Sequence, residues 1–277
     1  MDRRTFLKLS TAALAGAAVS DGLVAKNPER KPDPERIQHL IDEAEQALET
    51  RRYTDSPWLI GALFYSQDYL NYVQRKRSLK PHEHIIASVA QSLDIEKRIQ
   101  YLEHIHQEAS RIFELDPSEH QRRSPIYKEP FSLGHSEDHS HQNALGIFPT
   151  DNPTATVFAP RDMLLLLSEG GEDGEGSWNP RDPLSTISPL GGNVIIGYSP
   201  SDQLFWRFAH LSQLSLPEDT PILAGSILGT TGSTGLNAAK PGHGDHVHIE
   251  VHQAISPQDP HMQALRRPQI KRLLAID

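Results

Sequence analysis

Two periodicities divide the chain. From Glu35 to about Leu115 apolar residues return at helical spacing, as in Ile37, Leu40, Ile41, Ala44 and Leu48, and again in Ile99, Leu102, Ile105 and Ala109. This pattern predicts several helices, broken near "YTDSP" and "LKPHE", and it carries no catalytic spacing; a helical scaffold or docking arm is the expectation for 35–115. Beyond a turn-rich stretch, "DPSEHQRRSPIYKEP" at 116–130, the period changes to two. Strand formers dominate "TATVFAP", "NVIIGY", "QLFWRFAHL", "PILAGSILGTTG" and "HVHIEV", separated by Gly, Pro and Asn. The fold class expected is therefore α+β, with an N-terminal helical region followed by an antiparallel all-β domain. The segment 168–192 is acidic, Gly-rich and too long for a plain connection, which points to a lid or an unstructured loop. Trp178 within it reads as a local packing anchor or a stacking platform, and the tail 257–277 as a short terminal helix.

The strand pattern raises one chemical question. In "GDHVHIEVH", 244–252, alternation puts His246, His248, Glu250 and His252 on one face and Val247, Ile249 and Val251 on the other. The His-x-His pair, His246 and His248, thus presents two imidazoles together. The same His-x-His spacing at His104 and His106 falls in a helical pattern, where two steps of about 100° send the rings to nearly opposite sides. That pair is not expected to chelate.

Composition narrows the chemistry further. The chain has 277 residues, no cysteine and fifteen histidines, which excludes disulfides, thiolate zinc sites and cysteine nucleophiles and leaves imidazole and carboxylate as metal ligands. A formal charge of −9 without a basic stripe argues against nucleic acid as a partner. "MDRRTFLKLSTAALAGAAVS" joins Arg3 and Arg4 to an apolar run of about a dozen residues and a small-residue patch, the pattern of a cleavable twin-arginine export signal over 1–26. The apolar run is too short for a membrane span, so no stable span is expected once the signal is removed. The protein should be periplasmic or extracellular, with "NPERKPDP" at 27–34 as a linker.

Four segments in order, "HSHQNALGIFP", "FAHLSQL", "GTTGSTG" and "GDHVHIEV", resemble those of the lysostaphin-type (LytM-like) zinc metalloendopeptidases of bacterial cell walls. The resemblance covers roughly 135–256, between a linker at 116–134 and the tail. It implies a duplicated-hybrid-motif fold, a zinc cofactor and hydrolysis of peptide cross-links in peptidoglycan. By position it implies His248 and His141 as zinc ligands, with His210 and His246 as the imidazoles that handle protons. Zinc suits such work because it takes neutral imidazole and carboxylate tetrahedrally, keeps a position for water and lowers that water's pKa towards neutrality. His210 is also in strand phase with Trp206 and Phe208, which makes an ordinary half-buried histidine the competing reading.

The sequence departs from the pattern at one place. Where the family has its zinc-binding aspartate this chain has Gly146, so another group must supply the ligand or the protein is an inactive relative that binds cell wall or regulates a separate hydrolase. Candidates for the substitute ligand are His135, Asp138, His139, Asn143 and Asp151. A metal-binding site without hydrolysis is a third reading.

Overall fold

The computed structural model describes residues 34–50, 56–64, 78–93, 95–113, 122–134, 143–169, 178, 187–188, 190–214, 221–236, 238–239, 242–256 and 259–276. The export-signal reading, most of the segment 168–192, and His135, Asp138, His139 and His141 lie outside them. Among the described residues no helix is long and apolar enough to cross a membrane.

The helical half contains α1 (Pro34–Thr50), α2 (Pro57–Phe64), α3 (Pro81–Ser92) and α4 (Ile95–Ile112). The break at "LKPHE" is the start of α3. Pro81 fits the first helical turn, where no amide partner is required, and the Glu83 carboxylate accepts from the Lys80 backbone N–H at 2.8 Å. The buried stripes follow the predicted spacing: Leu40, Ala44 and Ala47 in α1, and Tyr101, Ile105 and Ala109 in α4.

The strands are β1 (Phe131–Leu133), β2 (Leu145–Pro149), β3 (Thr156–Phe158), β4 (Met163–Glu169), β5 (Asn193–Ser199), β6 (Leu204–Leu211), β7 (Gln213–Leu214), β8 (Pro221–Ile222), β9 (Ile227–Thr230), β10 (Val247–Ser256) and β11 (Asp259–Ala264), followed by α5 (Arg267–Leu274). Eight form one antiparallel sheet, β1-β2-β10-β6-β5-β4-β8 with β11 also on β10, and β3-β9-β7 form a second. The chain is thus α+β, as its two periodicities predict. The tail region contributes both a strand and a helix: β11 extends the main sheet, and Leu265, Ile270 and Leu274 enter the β core.

Alternation in the central strands makes two cores. Val247, Ile249 and Val251 of β10 join Trp206 and Phe208 of β6, Ile195 of β5 and Val157 of β3 in a core between the two sheets. On the opposite face of the main sheet, Phe205, Ala209, Val194, Ile196 and Leu164 share a core with α1–α4. The helical half is therefore packed onto the same sheet face that carries the even-numbered residues of β10.

Candidate metal centre

β10 is held between β2 and β6 over the segment that bears the histidines, with His248 opposite Gly146 on one side and opposite Ala209 on the other. The even-numbered face predicted from alternation is realised, since Val247 and Ile249 are fully buried in the opposite core. Bringing His210 to that face takes an irregularity. Asn193 pairs with Leu211 and Ile195 with Phe208, so two steps along β5 face three along β6, and the extra residue is a bulge at 209–210. His210 has φ +67°, the left-handed region that L residues seldom occupy. Strict alternation would have sent its ring to the side of Phe208; the bulge re-aims it. His210 is therefore out of strand phase with Trp206 and Phe208.

The result is a cluster of His210, His246 and His248, all buried, whose candidate ligand atoms lie within 4.8 Å of one another. Ring centroids are 4.8 Å apart for His210–His246 and 5.6 Å for His210–His248. No carboxylate belongs to the group among the described residues. Gly146 lies across the strand pair from His248, and a Cβ there would come to 3.7 Å from the His246 ring, so the position where the resemblance implies a carboxylate is on the correct face but bears no ligand. Asn143 is buried just ahead of β2, and Asp151 lies on the exposed turn after it.

Hydrogen bonds fix the protons. A backbone carbonyl only accepts, so His210 donates from Nδ1 to Thr234 O at 2.7 Å and His246 from Nδ1 to Gly244 O at 3.1 Å. In the neutral ring both then keep a lone pair on Nε2. His248 is set the other way: its Nε2 meets Glu250 Oε1 at 3.2 Å, leaving the lone pair on Nδ1. Burial, then the neighbouring His248 and His246, hold the His210 imidazole well below its usual pKa and so in its neutral form. A zinc ion takes an imidazole whose other nitrogen is tied to a fixed acceptor, which His248 offers through Nδ1, while His210 and His246, with their Nδ1 protons tied to carbonyls, bring Nε2 beside it. The residues present fit the metal.

The turn behind the cluster is built for close approach. Gly192 (φ +68°) and Gly235 (φ +90°) pack backbone to backbone, and a Cβ on Gly192 would collide with Thr234 and Gly235. This contact positions the Thr234 carbonyl for His210, and the Gly191 carbonyl accepts from the His210 N–H at 2.7 Å. "GTTGSTG" is thus a turn that orients a histidine. At the outer side Phe148 stacks on His246 at 4.5 Å and the exposed His243 stacks on it at 4.9 Å. In the helical half, His104 and His106 do not join the cluster, and His106 instead pairs through Nδ1 with the Tyr198 hydroxyl at 2.8 Å.

The left-handed backbone at His210 yields a test of the bulge. Glycine normally costs a strand about 0.5–1 kcal/mol relative to alanine, whereas a non-glycine residue in this region stores about 1–3 kcal/mol. His210→Gly is therefore expected to unfold at a higher denaturant midpoint than His210→Ala. A regular strand at this position would give the reverse order.

Arg207, Ser188, Thr234, Phe148 and His243 are site residues that the sequence reading passed over. Alternation already placed Glu250 on the histidine face, but only the β6–β10 register shows that Arg207 is its direct neighbour.

No family model matches the chain, and no curated protein matches it. Solved structures similar to it include lysostaphin, at 16% identity over 57% of this chain and 56% of that one with a TM-score of 0.39. A putative peptidase M23 from Pseudomonas aeruginosa shares 17% identity over 57% and 56% with a TM-score of 0.32. A putative glycyl-glycine endopeptidase lytM from Ruminococcus gnavus shares 14% identity over 90% and 91% with a TM-score of 0.39. The matched region spans 56% of the length of the first two.

Proposed function

We propose that this chain is an exported, zinc-dependent endopeptidase that hydrolyses peptide cross-links of bacterial peptidoglycan. The observation that carries the reading is the meeting of His210 of β6, His248 of β10 and His246 just before β10 in one buried cluster, with tautomers set by separate hydrogen bonds. The order of the four sequence segments supports the substrate class, and the paired arginines near the start support export by the twin-arginine route to the periplasm or cell exterior.

In this reading His248 holds the metal together with an upstream group from 135–143, His141 being the residue the sequence resemblance assigns. Zinc supplies a Lewis acid for the scissile carbonyl and a lowered pKa for water. His210, kept neutral, presents Nε2 as a proton acceptor at the cluster, and Thr234 fixes its plane. His246 presents Nε2 beside it, and its ring packs nearly parallel to those of Phe148 and His243. Either ring can take a proton from attacking water and return it to the departing amine. Burial of all three rings limits competing water and strengthens their effect on developing charge.

The direct test is digestion of purified sacculi by the zinc-loaded chain, followed by mass spectrometry of released peptides. The expected result is new amino and carboxyl termini at a cross-link, abolished by a zinc chelator and restored by zinc. Binding to sacculi without release, unaffected by the chelator, would identify a wall-binding relative instead.

A further inference from the structure

Glu250 occupies an unusual position. It follows His248 by two residues on the same strand face and sits directly across from Arg207. Its Oε1 accepts from Arg207 Nη1 at 2.7 Å and from His248 Nε2 at 3.2 Å, while Oε2 accepts from His252 Nε2 at 3.1 Å. Both carboxylate oxygens are thus engaged by donors from two strands. Arg207 is itself anchored, donating from Nη2 to Ser188 Oγ at 2.5 Å, in a slot that exists because Gly191 has no side chain; a Cβ there would strike both groups. The side chains of Arg207 and Glu250 are only 15% and 14% exposed.

The mostly buried Glu250 charge is kept here with a partner charge beside it. The Arg207 guanidinium pairs with Oε1, and the imidazoles of His248 and His252 each face one carboxylate oxygen. An ionised carboxylate only accepts hydrogen bonds, so the proton of each facing imidazole is held on Nε2. For His248 that choice determines which nitrogen is turned to His210 and His246. The His248 Nε2 proton goes to a side chain, whereas the Nδ1 protons of His210 and His246 go to backbone carbonyls.

We propose that Glu250, braced by Arg207 and His252, is a positioning residue that fixes the His248 ring and presents its Nδ1 to the centre. The assignment rests on the metal reading above, but its geometry is present without the metal. Outer partners of ligand imidazoles of this kind are worth about 10–100-fold in metal affinity.

The experiment uses two variants of the full chain. Glu250→Gln keeps an acceptor for the His248 proton. Glu250→Leu combined with Arg207→Met removes both charges, so that neither is left buried and unpaired. In the metal-free wild type, nuclear magnetic resonance should show a slowly exchanging, hydrogen-bonded His248 Nε2–H; the signal should persist in Glu250→Gln and vanish in the double variant. Zinc titration should show affinity lower by about 10–100-fold in the double variant and by less in Glu250→Gln. An unchanged Nε2–H signal or wild-type zinc affinity in a folded double variant would overturn the proposal. A wild type that shows the signal yet binds no zinc would sink the metal reading and leave the brace standing, so the two failures are distinguishable.

Discussion

Replacing His248 by alanine is expected to weaken zinc binding by more than the about 100-fold that loss of an outer partner costs, and to remove hydrolysis of cross-linked peptides with it. The side chain lies at the meeting point of three strands, opposite Gly146 in β2 and Ala209 in β6, and neither neighbour bears a group that can take its place. His210 and His246 cannot compensate by turning, because Thr234 and Gly244 hold their Nδ1 protons. The control is the fold: the variant should keep the wild-type far-ultraviolet circular dichroism, since Val247 and Ile249 still fill the opposite core. Isothermal titration with zinc reads the effect. Affinity unchanged within a few-fold would remove His248 from the metal centre.

Phe208→Ala is expected to produce the largest loss of stability among single changes near the site, about 3–5 kcal/mol. Phe208 is fully buried between the sheets, opposite Ile249 and Ile195, and its ring stacks on Trp206 at 6.3 Å between centroids. It also immediately precedes the bulge that turns His210 to the other face. A cavity here removes packing from both strands that carry histidines, and that cost is a large part of the about 5–15 kcal/mol by which a domain is stable. Urea unfolding should show the loss in the midpoint, with zinc affinity falling in parallel. A change below about 1 kcal/mol would mean that the inter-sheet core tolerates collapse at this position.

What could be read in the sequence followed regular periodicity. The helical half, the strands with clear alternation and the shared face of His246, His248, Glu250 and His252 are all consequences of fixed side-chain geometry. β4 was not legible in that way, because "MLLLLSE" is buried on both faces and shows no alternation. His210 was legible as a candidate only through its resemblance; alternation put it on the wrong face, and the bulge that corrects this depends on pairing with β5. The Arg207–Glu250 pair depends on register between strands forty-three residues apart, which no local pattern encodes. Helical periodicity by itself predicts only a scaffold or docking arm for 35–115. The structure packs these helices on the histidine-bearing face, because Phe205, Ala209, Val194 and Ile196 present apolar surface there.

The claim on which the rest depends is that His248 of β10 holds a cation, with His210 of β6 and His246 beside it. X-ray absorption at the zinc edge of the zinc-loaded full chain tests it most directly. The account predicts a nearest shell containing imidazole nitrogens at about 2.0–2.1 Å, with the outer scattering of histidine rings, that loses intensity in His248→Ala. A shell made of oxygen atoms alone, identical in wild type and variant, would contradict it.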